Sequence, residues 1–244
     1  MTKRAKMGFL AQSAKKSTQS TPSSARVDPF DGKEYRLLSN FGADKRQIFN
    51  SKEDFDRFEA YLYLLNSMES PRVANLFADN RQKNIFETGR GEKLIAIGAY
   101  SFTPRRFQIL ATPLVDGGIG KFMQKLQTAY TMYFNKKYAH TGRLLYAKYE
   151  SDRAQTEAEL KYMFAFVHLA PSELFNENWE SVSSFDVSAL AVNALGYRYS
   201  SMGEYLSSKP IITTPTEFPR SIVAAKKADA LVRFWLAHQQ KRFI

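Results

Sequence analysis

Residues 117–149, GGIGKFMQKLQTAYTMYFNKKYAHTGRLLYAKY, constrain the fold more than any other stretch. Ile119, Phe122, Met123, Leu126, Tyr130, Tyr133 and Phe134 recur at spacings of three and four, so a helix would place them on one face. That face needs a core to cover. Lys121, Lys125 and Lys136 fall on a different face. The pattern predicts a helix over 117–138, a basic turn, and an aromatic strand over 143–149.

The flanking sequence supplies the rest of that core. Tyr35–Ser39 reads as a first strand, followed by a turn at 40–46 and a short extension at 47–50. Ser51 can cap a helix over 52–67, with Glu53 and Asp54 in its first turn and Phe55, Phe58, Leu62 and Leu65 on one face. Residues 69–92 are polar and irregular apart from an apolar patch at 73–77. Leu94–Phe102 and Arg106–Thr112 are apolar strands joined by the turn Thr103-Pro104-Arg105. A second long helix is expected over 152–168, ending before Pro171. Residues 172–206 read as a helical extension with a helix at 186–195, and 207–219, with three prolines, as a linker. A C-terminal helix over 220–244 either docks on the core or makes a homodimer contact. Interspersed strands and helices with one clear hairpin indicate an α+β domain with an antiparallel sheet.

Composition narrows the chemistry. The chain has no cysteine, which excludes disulfides, thiolate metal sites and cysteine nucleophiles and fits a cytoplasmic protein. Its three histidines, His140, His168 and His238, have no ligand-like spacing. No window resembles a membrane span or a secretory signal. The net charge is +11, which favours an anionic partner, most simply nucleic acid. Residues 1–30 are expected to be a disordered basic tail; six basic residues and no acid lie in the first 27.

Several motifs carry a family resemblance. Asp44-Lys45-Arg46-Gln47-Ile48-Phe49, the strand–turn–strand ending in Phe107, Gly118-Ile119-Gly120-Lys121-Phe122-Met123, and Tyr133-Phe134-Asn135-Lys136-Lys137-Tyr138 resemble the insertion-sequence-200-like single-tyrosine transposases, in particular the REP-associated branch. Gly142-Arg143-Leu144-Leu145 continues the likeness, which covers roughly 33–171. The resemblance implies a ferredoxin-like antiparallel sheet with helices packed on one face. It also implies a divalent metal, magnesium or manganese, held by a His-hydrophobic-His strand, and a helix tyrosine that attacks the phosphodiester.

This chain departs from that pattern at both places. The strand motif is Arg106-Phe107-Gln108, and the tyrosine position is Phe166. An arginine stays protonated and cannot ligate a metal, and a phenylalanine has no hydroxyl. The expectation is therefore a transposase-like protein that binds single-stranded or hairpin DNA without cutting it and uses no cofactor. Arg105, Arg106, Lys121, Lys125, Lys136, Lys137, Arg143, Lys148 and Arg153 are the candidate DNA contacts, with Tyr138, Tyr146 and Tyr149 interleaved. One alternative is a nicking enzyme that uses Tyr162, one helical turn before Phe166. Another is a non-enzymatic scaffold or RNA-binding protein.

Overall fold

The computed structural model describes residues 30, 32–69, 77, 82–175, 187–223 and 230–235. Residues 1–29 of the expected basic tail, most of the 73–77 patch, and the end of the C-terminal helix with His238 lie outside the described residues, while Phe30 is buried in the core beside Tyr35.

The elements run β1 (Arg36–Phe41), α1 (Lys52–Leu64), β2 (Ile95–Thr103), β3 (Arg106–Pro113), α2 (Gly118–Lys137) and β4 (Glu150–Arg153). The sheet order is β2-β3-β1-β4, and each neighbouring pair is antiparallel. This β-α-β-β-α-β arrangement is the ferredoxin-like topology. Beyond it come α3 (Glu157–Leu169), α4 (Val187–Gly196), α5 (Met202–Ser207) and α6 (Arg220–Val223). Residues 230–235 are also helical.

Side chains alternate along the strands, so the sheet feeds two cores. Leu38, Phe107 and Ile109 join α1 and α2 on one face, around Phe58, Phe122 and Tyr130. Phe58 and Tyr130 meet edge to face at 4.9 Å. Burying each such ring stabilises the fold by about 2 kcal/mol. This is the expected helix layer. Leu37 and Leu110 point the other way, into a second core made by α3, α5 and the C-terminal elements through Phe164, Met202, Ile222 and Trp235. The helical extension therefore covers the face that a bare ferredoxin-like sheet would leave open.

Two expectations need correction. The 143–149 strand does not form; the edge strand is Glu150–Arg153. Leu144 and Leu145 are both buried, but the backbone here is tied to the 42–46 loop, with Ala43 N donating to Leu144 O, and does not run along β1. The chain instead makes one bridge, Gly42 to Leu145, before pairing with β1. A short, charged edge strand also resists unwanted pairing. The next helix starts at Glu157, not near 152, because the Thr156 hydroxyl accepts the Glu159 N–H and caps it there.

The proline-containing 207–219 segment is packed on the sheet and is not a free linker. Glu204 accepts the backbone N–H groups of Ile211, Ile212 and Thr213. Thr214 N donates to Ile97 O, and Phe218 lies over Gly98, where an added Cβ would come within 2.5 Å of its ring. Among the described residues no helix is long and apolar enough to cross a membrane.

Candidate nucleic-acid interface

Three loops meet at one end of the sheet. The β2–β3 hairpin tip offers the Pro104 and Arg105 carbonyls, which accept from Ile48 N, Phe49 N and Gly42 N. The 42–46 loop in turn reaches the segment after α2, through Ala43 N to Leu144 O. His140 ties that segment back, with Nδ1 against Asn135 Oδ1 at 2.8 Å and Nε2 against the Arg46 guanidinium. Asp44, Lys45 and Ala139 adopt positive φ, the tight local geometry that lets these loops converge.

The convergence gathers Lys45, Arg105, Lys136 and Arg143, all exposed. Among the described residues none of their side chains has a hydrogen-bond or ion-pair partner. Asp44 is the lone acid in segments 42–46, 104–105 and 136–146. Arg105, Lys136 and Arg143 belong to the expected contact set, whereas Lys45 was missed. No local signal marks Lys45, since only the docking of its loop on the hairpin and on Leu144 brings it there.

Other members of the expected set are occupied or lie elsewhere. Lys137 drops out: its Nζ lies 2.7 Å from Asp54 Oδ1, 2.9 Å from Glu53 Oε2 and 2.9 Å from Ser51 Oγ. Burial opposes its charge, yet hydrogen bonds to Asp54, Tyr133 and Glu53 hold its pKa above the ordinary value. Asp54 is fully buried and also accepts from Tyr133 and Tyr138, and the Tyr138 ring packs on Phe134 with centroids 4.6 Å apart. Lys125 drops out as well, since its ammonium donates to the Ser67 and Glu69 carbonyls beyond the end of α1. Lys121 donates to the Asp116 carbonyl at 3.2 Å. Lys148 and Arg153 are exposed but sit toward the far edge, and Lys148 lines a cleft with Arg36 and the acids Glu34, Asp116, Glu150 and Asp152. Tyr149 packs against the α1–α2 core, and Tyr146 remains exposed.

The positions at which the resemblance implies catalysis lie on the other face, beneath α3. Arg106 does not stand open toward a ligand: its Nη2 pairs with Glu173 Oε2 at 2.5 Å. Glu173 also accepts from the Thr103 hydroxyl at 2.6 Å. Gln108 is buried and its Oε1 has no hydrogen-bond partner. It belongs to a polar row across the sheet, Ser101–Gln108–Ser39–Glu150, set by strand register. Phe166 is buried in the α3 core, and Tyr162 stacks on it with ring centroids 5.9 Å apart. A divalent metal does not fit here. A single amide oxygen beside a paired guanidinium offers neither the charge nor the donor number a hard cation needs. No group of three histidine, aspartate or glutamate side chains able to hold a metal occurs among the described residues.

His168, expected as a helix C-terminal residue, is fully buried. Its Nδ1 donates to Phe164 O at 2.9 Å, which leaves Nε2 to accept the Ser201 hydroxyl at 2.8 Å. Burial pushes its pKa down to about 4. The pair is sealed from solvent and ties α3 to the start of α5.

No protein-family model matches the chain, and no curated protein does. Among solved structures, a REP-associated tyrosine transposase bound to a REP hairpin aligns over 79% of this chain and 92% of its own, at TM-score 0.42 and 8% identity. At that level the likeness does not establish common descent and says nothing of activity.

Proposed function

We propose that this chain binds nucleic acid, foremost single-stranded or hairpin DNA, through the loop end of its sheet, and that it does not cut the strand. The observation that carries this is the set of four exposed cations, Lys45, Arg105 and Arg143 on loops that the fold holds together and Lys136 in the last turn of α2, whose side chains have no partner among the described residues. Other lysines of the chain are neutralised within the protein, as Lys137 is, whereas these four are left for an outside anion. The overall charge of +11 adds long-range attraction to phosphates. The absence of cleavage rests on the Arg106–Glu173 pair, the enclosed Gln108 and the buried Phe166.

Fluorescence anisotropy with hairpin and single-stranded oligonucleotides tests the reading. The wild type should bind at about 0.1 M salt. Replacing Lys45, Arg105 and Arg143 together by alanine should weaken binding and flatten the log-affinity against log-salt slope by about 2. Equal binding by wild type and triple variant would refute the placement. Incubation of hairpin DNA with magnesium or manganese should yield no covalent adduct; an adduct that Tyr162→Phe abolishes would refute the claim that the strand is not cut.

A further inference from the structure

Beside the basic loops, a groove of ≈ 490 Å³ runs between α2 and the segment that follows it. Gln127, Thr128, Thr131 and Met132 form one wall, and Arg143 and Tyr146 stand on the other. Among the described residues no acid lines it. Met132 is 68% exposed and Tyr146 40%, so both present apolar surface to solvent across the groove.

Tyr146 is held in place by its backbone. Its N–H donates to Phe41 O at 3.0 Å, and its carbonyl accepts Asn40 Nδ2 at 3.2 Å. The preceding Leu145 is buried and bridges Gly42. The Tyr146 ring rests on Phe41, with centroids 4.4 Å apart, and keeps its outer side toward the groove. An aromatic fixed this way loses little conformational entropy when a flat ligand stacks on it. Thr128 and Thr131 add hydroxyl-bearing side chains to the Met132 wall. The Gln127 amide has its oxygen taken by Asn40, which leaves its N–H groups as donors.

An exposed aromatic ring, hydroxyl and amide groups on the facing wall and an arginine beside them match one ligand chemistry. We infer that the groove takes a single unpaired nucleobase, stacked on Tyr146, while Arg143 meets the adjoining phosphate. This rests on the nucleic-acid reading above and narrows it. Bases inside a duplex are already stacked and cannot enter, so the groove selects a single strand, a loop or an unpaired end. The lining does not favour an acidic peptide, which would meet Arg143 as its one cation inside the groove.

The test uses the full chain with a fluorescent oligothymidine of about 12 nucleotides and a duplex of the same length. Tyr146→Ala should weaken single-strand binding about tenfold and leave duplex binding unchanged, and Tyr146→Phe should bind the single strand like wild type. Thr128→Glu changes an exposed helix position, puts a carboxylate into the groove, and should also weaken the single strand selectively. If Tyr146→Ala and Thr128→Glu both bind the single strand like wild type, the groove assignment is wrong while the nucleic-acid reading stands. If they weaken single strand and duplex equally, the contact is to the backbone and base capture is refuted. If the wild type binds neither probe, both readings fall.

Discussion

Lowering the pH from 7.5 to 5 should destabilise this protein by about 2 kcal/mol through His168 alone. The imidazole is enclosed, and among the described residues it contacts a carbonyl, a hydroxyl and the rings of Phe164 and Tyr205, none of them anionic at neutral pH. Protonation would bury a charge without a counter-ion and would turn Nε2 from acceptor to donor against a hydroxyl that already receives the Tyr100 N–H. Burial holds the folded pKa at about 4, against 6.5 for an unperturbed histidine. The folded value is depressed, so the neutral form is favoured and the stabilisation is complete above pH 6.5. It is lost as pH falls through the window between 6.5 and 4, where the unfolded chain binds a proton and the folded chain does not. Urea denaturation at several pH values, on wild type and on His168→Gln, isolates the effect; the difference in slope cancels His140 and His238. The variant should be less stable at pH 7.5 and show a flatter pH dependence. Identical pH slopes for the two proteins, or an NMR titration of His168 near 6.5 in the folded state, would refute the reasoning.

Further outcomes follow from other parts of the fold. Asp54→Asn should cost about 3 kcal/mol in chemical denaturation, because Lys137 and two tyrosine hydroxyls lose a buried anion. Burial works against the Asp54 charge, but the bonds from Lys137, Tyr138 and Asn50 outweigh it and lower its pKa below 3.8. Its contribution is therefore present above that value and lost as pH falls below it, a second acid transition that the variant should lack. Gly98→Val should displace Phe218 and cost about 2 kcal/mol, and limited proteolysis should then cut near Lys209 or Arg220. Gly118→Ala would place a Cβ 2.2 Å from the Leu94 carbonyl oxygen, so the start of α2 must shift, and a thermal melt should show a loss of about 2 kcal/mol.

Periodicity and turn chemistry carried much of this architecture. The β2–β3 hairpin was legible from two apolar runs about Thr103-Pro104-Arg105, and α2 from its stripe of apolar residues, because each is decided by contacts close in sequence. The residues 143–149 were misread for the opposite reason. Tyr146 and Tyr149 have strand-forming side chains, but the contacts of Leu144 and Leu145 with the distant 42–46 loop decide the path there. The candidate site divides in the same way. Arg105, Lys136 and Arg143 stood out as a basic set, whereas nothing in the sequence separated them from Lys137 and Lys125.

The sequence by itself determined that this is a basic, cysteine-free α+β chain with a helix that must cover a sheet, since charge and hydrophobic spacing are properties of the string of residues. Tertiary structure alone decided which cations stay available. Lys137 meets an aspartate 83 positions away, and Arg106 meets a glutamate brought over the sheet by the turn after α3. Lys45 and Arg143 become neighbours because two loops are hydrogen-bonded through Ala43 and Leu144. Pairing between charges distant in sequence depends on where the backbone carries them, and no local pattern records it.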